Sequence, residues 1–299
     1  MNPAEFGLHY HRLCFEVECH RRKGFEFQSF FERIMAKHDP SFIPVRPTGK
    51  EGDWKSDGYS SGSYTIYQCY APEKLTAQKA ADKIKTDFDG AKGKWGSKMK
   101  CWVFVWSSYQ ALPPQAVAAI QEIRKTATSV RIEDWSLEGL WNIVKQLPEA
   151  DRIQILGAIP EIDVAPRTTS AEIQSLLSYL STTPFTYDSE NLALTAIAEK
   201  LQRNSLSDSV RAIVTPAVPV AKLVERYASR HPDPNFSARV AQSLVAEYER
   251  LSGEGMGAET LFFNLLSYVA RAEPHEPNLF WSAAGIVTYY FQLCDIFAP

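Results

Sequence analysis

Apolar and polar positions alternate along residues 8–20 (LHYHRLCFEVECH), with Leu13, Phe15 and Val17 on one side, and this period of two predicts an opening strand. Gly24 breaks the pattern. From Phe25 the period lengthens: Phe27, Phe30, Phe31, Ile34 and Met35 recur at three- and four-residue spacing, which predicts a helix. His38-Asp39-Pro40 ends it, because proline disfavours helical geometry in the residue before it. Phe42 to Val45 reads as a short strand, and Thr48 to Ser63, rich in glycine and aspartate, as turns. Tyr64 to Ala71 (YTIYQCYA) is aromatic and β-branched and predicts a strand. Residues 76–92 carry helical spacing through Ala80, Ile84, Phe88 and Ala91. Lys100 to Trp106 (KCWVFVW) is a nearly continuous apolar run, which suits a central strand covered on both faces. A helix from Leu112 to Lys125 and an edge strand from Val130 to Asp134 complete the order β, α, β, β, α, β, α, β, an α/β layout around one mixed sheet.

After Trp135 the strand signals fade. Residues 136–147 read as a helix, and 150–168, with Pro160 and Pro166, as a connector. Beyond it, helical patterns fall at 170–181, 188–203, 217–230, 235–252, 257–271 and 277–296, set apart by turn sequences such as TPAVP, HPDPN and SGEGMG. No fixed-period repeat is present, so a helical bundle is expected rather than a solenoid. The expected organisation is an α/β domain over 1–135, a helical linker over 136–168 and an all-α domain over 169–299, a length that suits more than one core.

Net charge is −3, but it is unevenly spread: residues 1–150 hold 21 Lys/Arg against 18 Asp/Glu, and the remainder holds 11 against 17. The densest basic stretch runs from Lys74 to Lys100 and includes Lys74, Lys79, Lys83, Lys85, Lys92 and Lys94, a surface that would attract a phosphate backbone. A solvated helix face would explain the same lysines. The five cysteines are odd in number and form no CxxC pair, which points away from a disulfide framework or zinc ribbon and towards a reducing cytoplasm. No apolar stretch long enough to span a bilayer is present, so a cytoplasmic protein without membrane contact is expected. There is no Walker phosphate loop, no GxGxxG ahead of a helix and no GxSxG elbow, so the chain is not expected to hydrolyse ATP itself.

Chemistry concentrates in GDWKSDGYSSGSYTIYQCYAPE, Gly52 to Glu73. Asp53 and Asp57 fall in the turn-rich segment, and Gln68 and Tyr70 share one face of the following strand. A glutamine inside an apolar strand needs a partner or costs about 1–3 kcal/mol. A metal ion held by Asp57, Gln68 and Asp53 would be such a partner, since Mg²⁺ takes few carboxylate or carbonyl oxygens and keeps its own waters. Phosphodiester hydrolysis needs an ion of this kind to lower the pKa of an attacking water. The aspartates could equally serve only to shape a tight turn.

The segment resembles the PD-(D/E)xK restriction-endonuclease-like superfamily, whose core runs helix, turn with Asp, strand with (Glu/Gln)-x-Lys, helix. More narrowly it is similar to a bacterial group carrying a GDxxxDGY turn followed by YQxYAPE, here Gly52 to Tyr59 and Tyr67 to Glu73. The resemblance covers roughly residues 8–135, and the final IVTYYFQLCDIFAP is also similar. Such domains occur in effector subunits of Lamassu-type and related ABC three-component anti-phage systems. The resemblance therefore implies a Mg²⁺-dependent DNA endonuclease (Mn²⁺ being the alternative ion). Its partners would be DNA, an SMC-like ATPase subunit and a small middle component, with self-association through the helical domain.

One position departs from the pattern: the superfamily's lysine is Tyr70 here. Lys55 is the first substitute expected, followed by Lys83 and Lys85. The preceding helix should offer a metal-facing residue, Gln28 by pattern, then Glu32, then Glu26. The other reading is a non-catalytic DNA-binding or adaptor subunit whose site has decayed at Tyr70.

Overall fold

A computed structural model describes residues 3–46, 54–107, 111–161, 168–182, 197–271, 277–293 and 296–297. They form two compact units, one of residues 18–155 and one of residues 1–17 with 156–299. These divisions fall elsewhere than at 135 and 168, because residues 1–17 join the helical unit and 136–155 join the sheet unit.

The sheet unit holds five strands in the order β1 (Phe42–Pro44), β2 (Gly58–Ser60), β3 (Thr65–Tyr70), β4 (Cys101–Trp106) and β5 (Arg131–Trp135). The β1/β2 and β2/β3 pairs are antiparallel, whereas β3/β4 and β4/β5 are parallel. Each parallel step requires a crossover, supplied by α3 (Ala77–Trp95) and α4 (Pro114–Thr126). All six residues of β4 are buried, as its unbroken apolar run requires. Ile66, Trp102, Phe104 and Ile132 on one sheet face pack with Ile84 and Phe88 of α3 and Ile120 and Ile123 of α4. The other face receives α2 (Gly24–His38), whose Phe31 ring lies 6.0 Å from Phe42 and 5.5 Å from Tyr67. Helices on both faces of a mixed sheet make a three-layer α/β unit.

The expected strand over residues 8–20 is instead the helix α1 (Pro3–Arg21). Between Tyr10 and Cys19 only Arg12 is not buried, so α1 lacks the polar stripe that reveals a helix by its period. Its polar residues form ion pairs one turn apart, Arg12 with Glu16 at 2.5 Å and Glu18 with Arg22. Those i,i+4 pairs were the helical signal in the sequence.

Among the described residues the second unit is helical throughout, with the first part of α1 joined by α7 (Ser170–Leu180), α8 (Ile197–Arg203), α9 (Asp208–Ser229), α10 (Phe236–Gly253), α11 (Ala258–Ala270) and α12 (Pro277–Gln292). Phe6 lies 5.9 Å from Trp281, and Tyr10 meets Phe280 at 5.4 Å and Phe263 at 5.8 Å, which is why the amino-terminal residues belong here. The expected TPAVP turn lies inside α9. Pro219 is exposed and Pro216 half-buried, so the missing N–H groups fall away from the buried stripe of Ile213, Ala217, Val220 and Val224. A Cβ on Gly285 of α12 would stand 2.3 Å from Val220 Cγ1, so glycine there permits the close approach of α9. Two short helices, α5 (Leu137–Val144) and α6 (Glu149–Leu156), precede these, and α6 occupies part of the expected connector. The expected helical residues 188–196 lie outside the described residues.

Candidate active site

Asp57 is fixed from three directions at the entrance to β2. Its backbone N–H donates to Tyr67 O at 2.8 Å and its carbonyl accepts from Val45 N–H at 3.3 Å. Its carboxylate Oδ2 accepts from Gln68 Nε2 at 2.7 Å and from the Cys69 backbone N–H at 2.6 Å. The aspartate thus ends the tight turn and begins a strand. Gly58, expected as a turn glycine, is paired on both sides in the sheet, with Pro44 and with Tyr67.

The turn ahead of Asp57 is strained. Trp54 and Lys55 are consecutive non-glycine residues with φ of 52° and 54°, a left-handed backbone costing roughly 1–2 kcal/mol per residue. Contacts with α3 offset that cost. The Trp54 ring meets Trp95 edge-on at 5.4 Å, and Tyr59 lies against Trp95 at 4.7 Å. Lys55 Nζ stands 3.6 Å from Asp87 Oδ1. A Cβ on Gly90 would fall 2.5 Å from Lys55 Cγ, so the lysine stem crosses α3 only where glycine leaves room.

Asp87 is fully buried, and Lys83 Nζ meets its other oxygen at 2.6 Å. Sequence reasoning missed Asp87. The signal was present: it lies three residues after Ile84 and four before Ala91, on the stripe that faces the core.

Beside Asp57 a cavity of about 350 Å³ opens at the carboxyl end of β3. Gln28, Asp57, Gln68, Tyr70 and Lys83 all line it, with Phe25 among the other lining residues. Gln28 is brought there because the Gly24 N–H donates to Ala71 O at 2.8 Å, tying the start of α2 to the exit of β3. Its amide donates to Glu32 Oε1 at 2.9 Å, and Glu32 Oε2 accepts from Arg46 at 2.6 Å. Glu32 therefore stands behind Gln28 rather than on the cavity wall. Burial pushes the Glu32 carboxyl up, against the lowering effects of the Gln28 hydrogen bond and the Arg46 charge. Burial also pushes the Cys69 thiol well up, helped by the negative charges of Asp57 and Glu32. The Tyr70 phenol is raised by burial despite the nearby Lys83 charge, so it keeps its proton and can donate.

Gln68 is 5% exposed, and its Oε1 has no hydrogen-bond partner among the described residues. With Nε2 committed to Asp57, that oxygen is a buried acceptor without a protein partner, on a residue that lines the cavity. Asp57 and Gln68 together present a carboxylate and an amide oxygen, a donor set that fits an ion retaining several waters. Among the described residues no group of three or more His, Cys, Asp or Glu is disposed to hold a metal ion. Asp53, the third expected ligand, lies outside the described residues.

Other expected residues fall elsewhere. Lys55 is turned to Asp87 and does not line the cavity, and Glu26 is exposed on α2. The lysines do not form one strip. At 3.6 residues per turn Lys79, Lys83 and Lys94 share one flank of α3, while Lys85 and Lys92 fall on the opposite flank. Lys85 is paired with Glu122 of α4 at 2.6 Å. Lys74 is exposed just before the helix.

A second cavity, of about 300 Å³, lies on the α2 face of the sheet beside Asp39, Tyr67, Arg131 and Glu133. Its charges are already satisfied, with Arg131 on Glu133 at 2.7 Å and Asp39 accepting from Ser41 N–H and Oγ at 2.8 Å. No protein-family model, curated protein or solved structure matches this chain.

Proposed function

We propose that the sheet unit is a metal-dependent DNA endonuclease with its active site in the cavity at the end of β3. The observation that carries this reading is the Asp57–Gln68 pair, in which the buried Gln68 Oε1 has no protein partner, on the wall of a cavity that Lys83 also lines. Asp57 and Gln68 would hold Mg²⁺ or Mn²⁺. Bound there, the ion would lower the pKa of an attacking water and offset charge developing on the phosphate. The chain's own groups do the rest. The two donors on Asp57 Oδ2 fix the carboxylate's orientation. Lys83 brings a cation to the same cavity and takes the role of the lysine missing at Tyr70, in preference to Lys55. Tyr70, protonated, donates a hydrogen bond to a phosphate oxygen or a leaving group. Exposed Lys74, Lys79 and Lys94 attract the backbone without reading bases.

The resemblance to effector subunits of Lamassu-type anti-phage systems extends the proposal. The helical unit would then mediate self-association and dock an SMC-like ATPase and a small middle component, so that cutting depends on assembly. The second reading, a non-catalytic DNA-binding or adaptor subunit, is favoured by Tyr70 itself. A plasmid-cleavage assay with Mg²⁺ separates them, comparing wild type, Asp57→Ala, Lys83→Ala and Lys55→Ala, alone and with the partner proteins. The nuclease reading expects cutting that Asp57→Ala and Lys83→Ala abolish and Lys55→Ala only weakens. Absence of cutting in the full assembly would leave the adaptor reading.

A further inference from the structure

Phe25 is 61% exposed, the most exposed of the large apolar side chains in the described residues, and it stands on the wall of the polar cavity that holds Asp57 and Gln68. Single exposed apolar residues are ordinary on protein surfaces. Phe25 differs in being braced. Gly24, with φ of 48°, turns the chain into α2 and is tied to Ala71. The Arg46 guanidinium lies 5.4 Å from the Phe25 ring centroid and is itself held by Glu32 at 2.6 Å. The ring is thus an exposed aromatic surface beside a cation, at a cavity that a second, half-buried ring, Tyr70, also lines.

We propose that this cavity takes an unpaired nucleotide whose base stacks on Phe25, making single-stranded or locally unpaired nucleic acid the preferred substrate form. The inference rests on the nuclease reading of the same site. A cavity of about 350 Å³ suits one nucleotide-sized group and not the cross-section of a duplex. Stacking on an aromatic ring is indifferent to base identity, because every base has a π-face, and a paired base in a duplex has no face to offer. Gln28, three residues on from Phe25 on α2, lines the same cavity. The flank of α3 bearing Lys79, Lys83 and Lys94 would carry the adjoining phosphates.

The test is binding by the full chain in metal-free buffer, so that nothing is cut, of an oligonucleotide carrying a fluorescent adenine analogue. The same oligonucleotide is measured as a single strand and as a duplex. The single strand is expected to bind about tenfold more tightly, with the analogue quenched, within the range that one stacked ring contributes. Phe25→Ala should abolish the quench and bring the single strand down to the duplex affinity, and Phe25→Trp should restore both. The exposed position makes these variants safe for folding, and unchanged thermal melting checks it. Phe25→Ala that keeps the quench and the preference overturns the proposal. So does equal binding of the two forms by wild type; if Asp57→Ala still abolishes cutting, the nuclease reading survives that result. Failure to bind either form removes the nucleic-acid reading and this inference together.

Discussion

Lys83 and Asp87, one turn apart on α3, form a 2.6 Å ion pair in which the carboxylate is fully buried and the lysine side chain is 38% exposed. Lys55, from the strained turn before Asp57, approaches the second carboxylate oxygen at 3.6 Å. A buried charge stripped of its partners costs about 3–5 kcal/mol, whereas an exposed pair is worth about 0–1 kcal/mol. With two lysines on one carboxylate, each covers for the loss of the other. Lys55→Ala should cost about 1 kcal/mol or less and Lys83→Ala about 1–2 kcal/mol, while the double variant should lose about 3–5 kcal/mol, more than the sum. Urea unfolding of the four proteins measures this. Simple additivity would show that Asp87 does not depend on both.

Gln68→Glu probes the metal site without relying on activity. It would place a second carboxylate at a position now 2.7 Å from Asp57 Oδ2. Two carboxylates that close cannot both ionise cheaply, so in metal-free buffer the variant should be less stable than wild type at neutral pH and recover as the pH falls. A divalent ion between them would reverse the penalty. Mg²⁺ should therefore raise the melting temperature of Gln68→Glu more than that of wild type. A variant indifferent to Mg²⁺ at millimolar concentration would argue that the cavity holds no ion.

The central sheet was legible because its strands and helices have opposite periods: CWVFVW is buried throughout, and Ala80, Ile84, Phe88 and Ala91 line one side of α3. β2 escaped notice because three residues are too few to show alternation, and its Asp-Gly opening reads as a turn. α1 carries a strand-like pattern because Leu13, Phe15 and Val17 alternate with residues that are equally buried. The interior prolines of α9 suggested a turn, but the packing of Ile213, Ala217, Val220 and Val224 outweighs two missing hydrogen bonds. Of the residues that meet at the cavity, Asp57, Gln68 and Gln28 stood out by motif and spacing. That Lys83 lines it and Lys55 does not could not be read, because it depends on the path by which the turn lays the Lys55 stem against Gly90 of α3.

Gly58 carries a steric requirement that its sequence context conceals. A Cβ there would stand 2.4 Å from Phe42 Cε2 and 2.5 Å from Cζ. The Phe42 ring cannot swing away freely, because it is wedged between Phe31 at 6.0 Å and Tyr67 at 5.8 Å. Gly58→Ala should therefore destabilise the sheet unit by about 1–3 kcal/mol, the usual cost of overpacking. Pairing it with Phe42→Leu should recover part of the loss. The comparison is made by denaturant unfolding, and a neutral Gly58→Ala would mean that the Phe42 ring yields to the added methyl without cost.

Glu16 should make the helical unit more stable in mild acid. Its side chain is buried, with Arg12 Nε at 2.5 Å, Thr260 Oγ1 at 3.5 Å and Glu259 adding a like charge. Burial pushes its carboxyl above the ordinary 4.5, further raised by Glu259 and only partly countered by Arg12 and the two hydrogen bonds. The folded state therefore holds this proton more tightly than the unfolded chain does. The resulting stabilisation is complete below 4.5 and is lost as the pH rises through the raised folded value. Glu32 is shifted in the same direction, so wild-type melting alone cannot isolate Glu16. Glu16→Gln, neutral at every pH, removes its share: the melting-temperature difference from wild type should grow as the pH climbs from about 4 to about 7. A difference that stays flat across that window would mean the Arg12 pair fully compensates the buried charge.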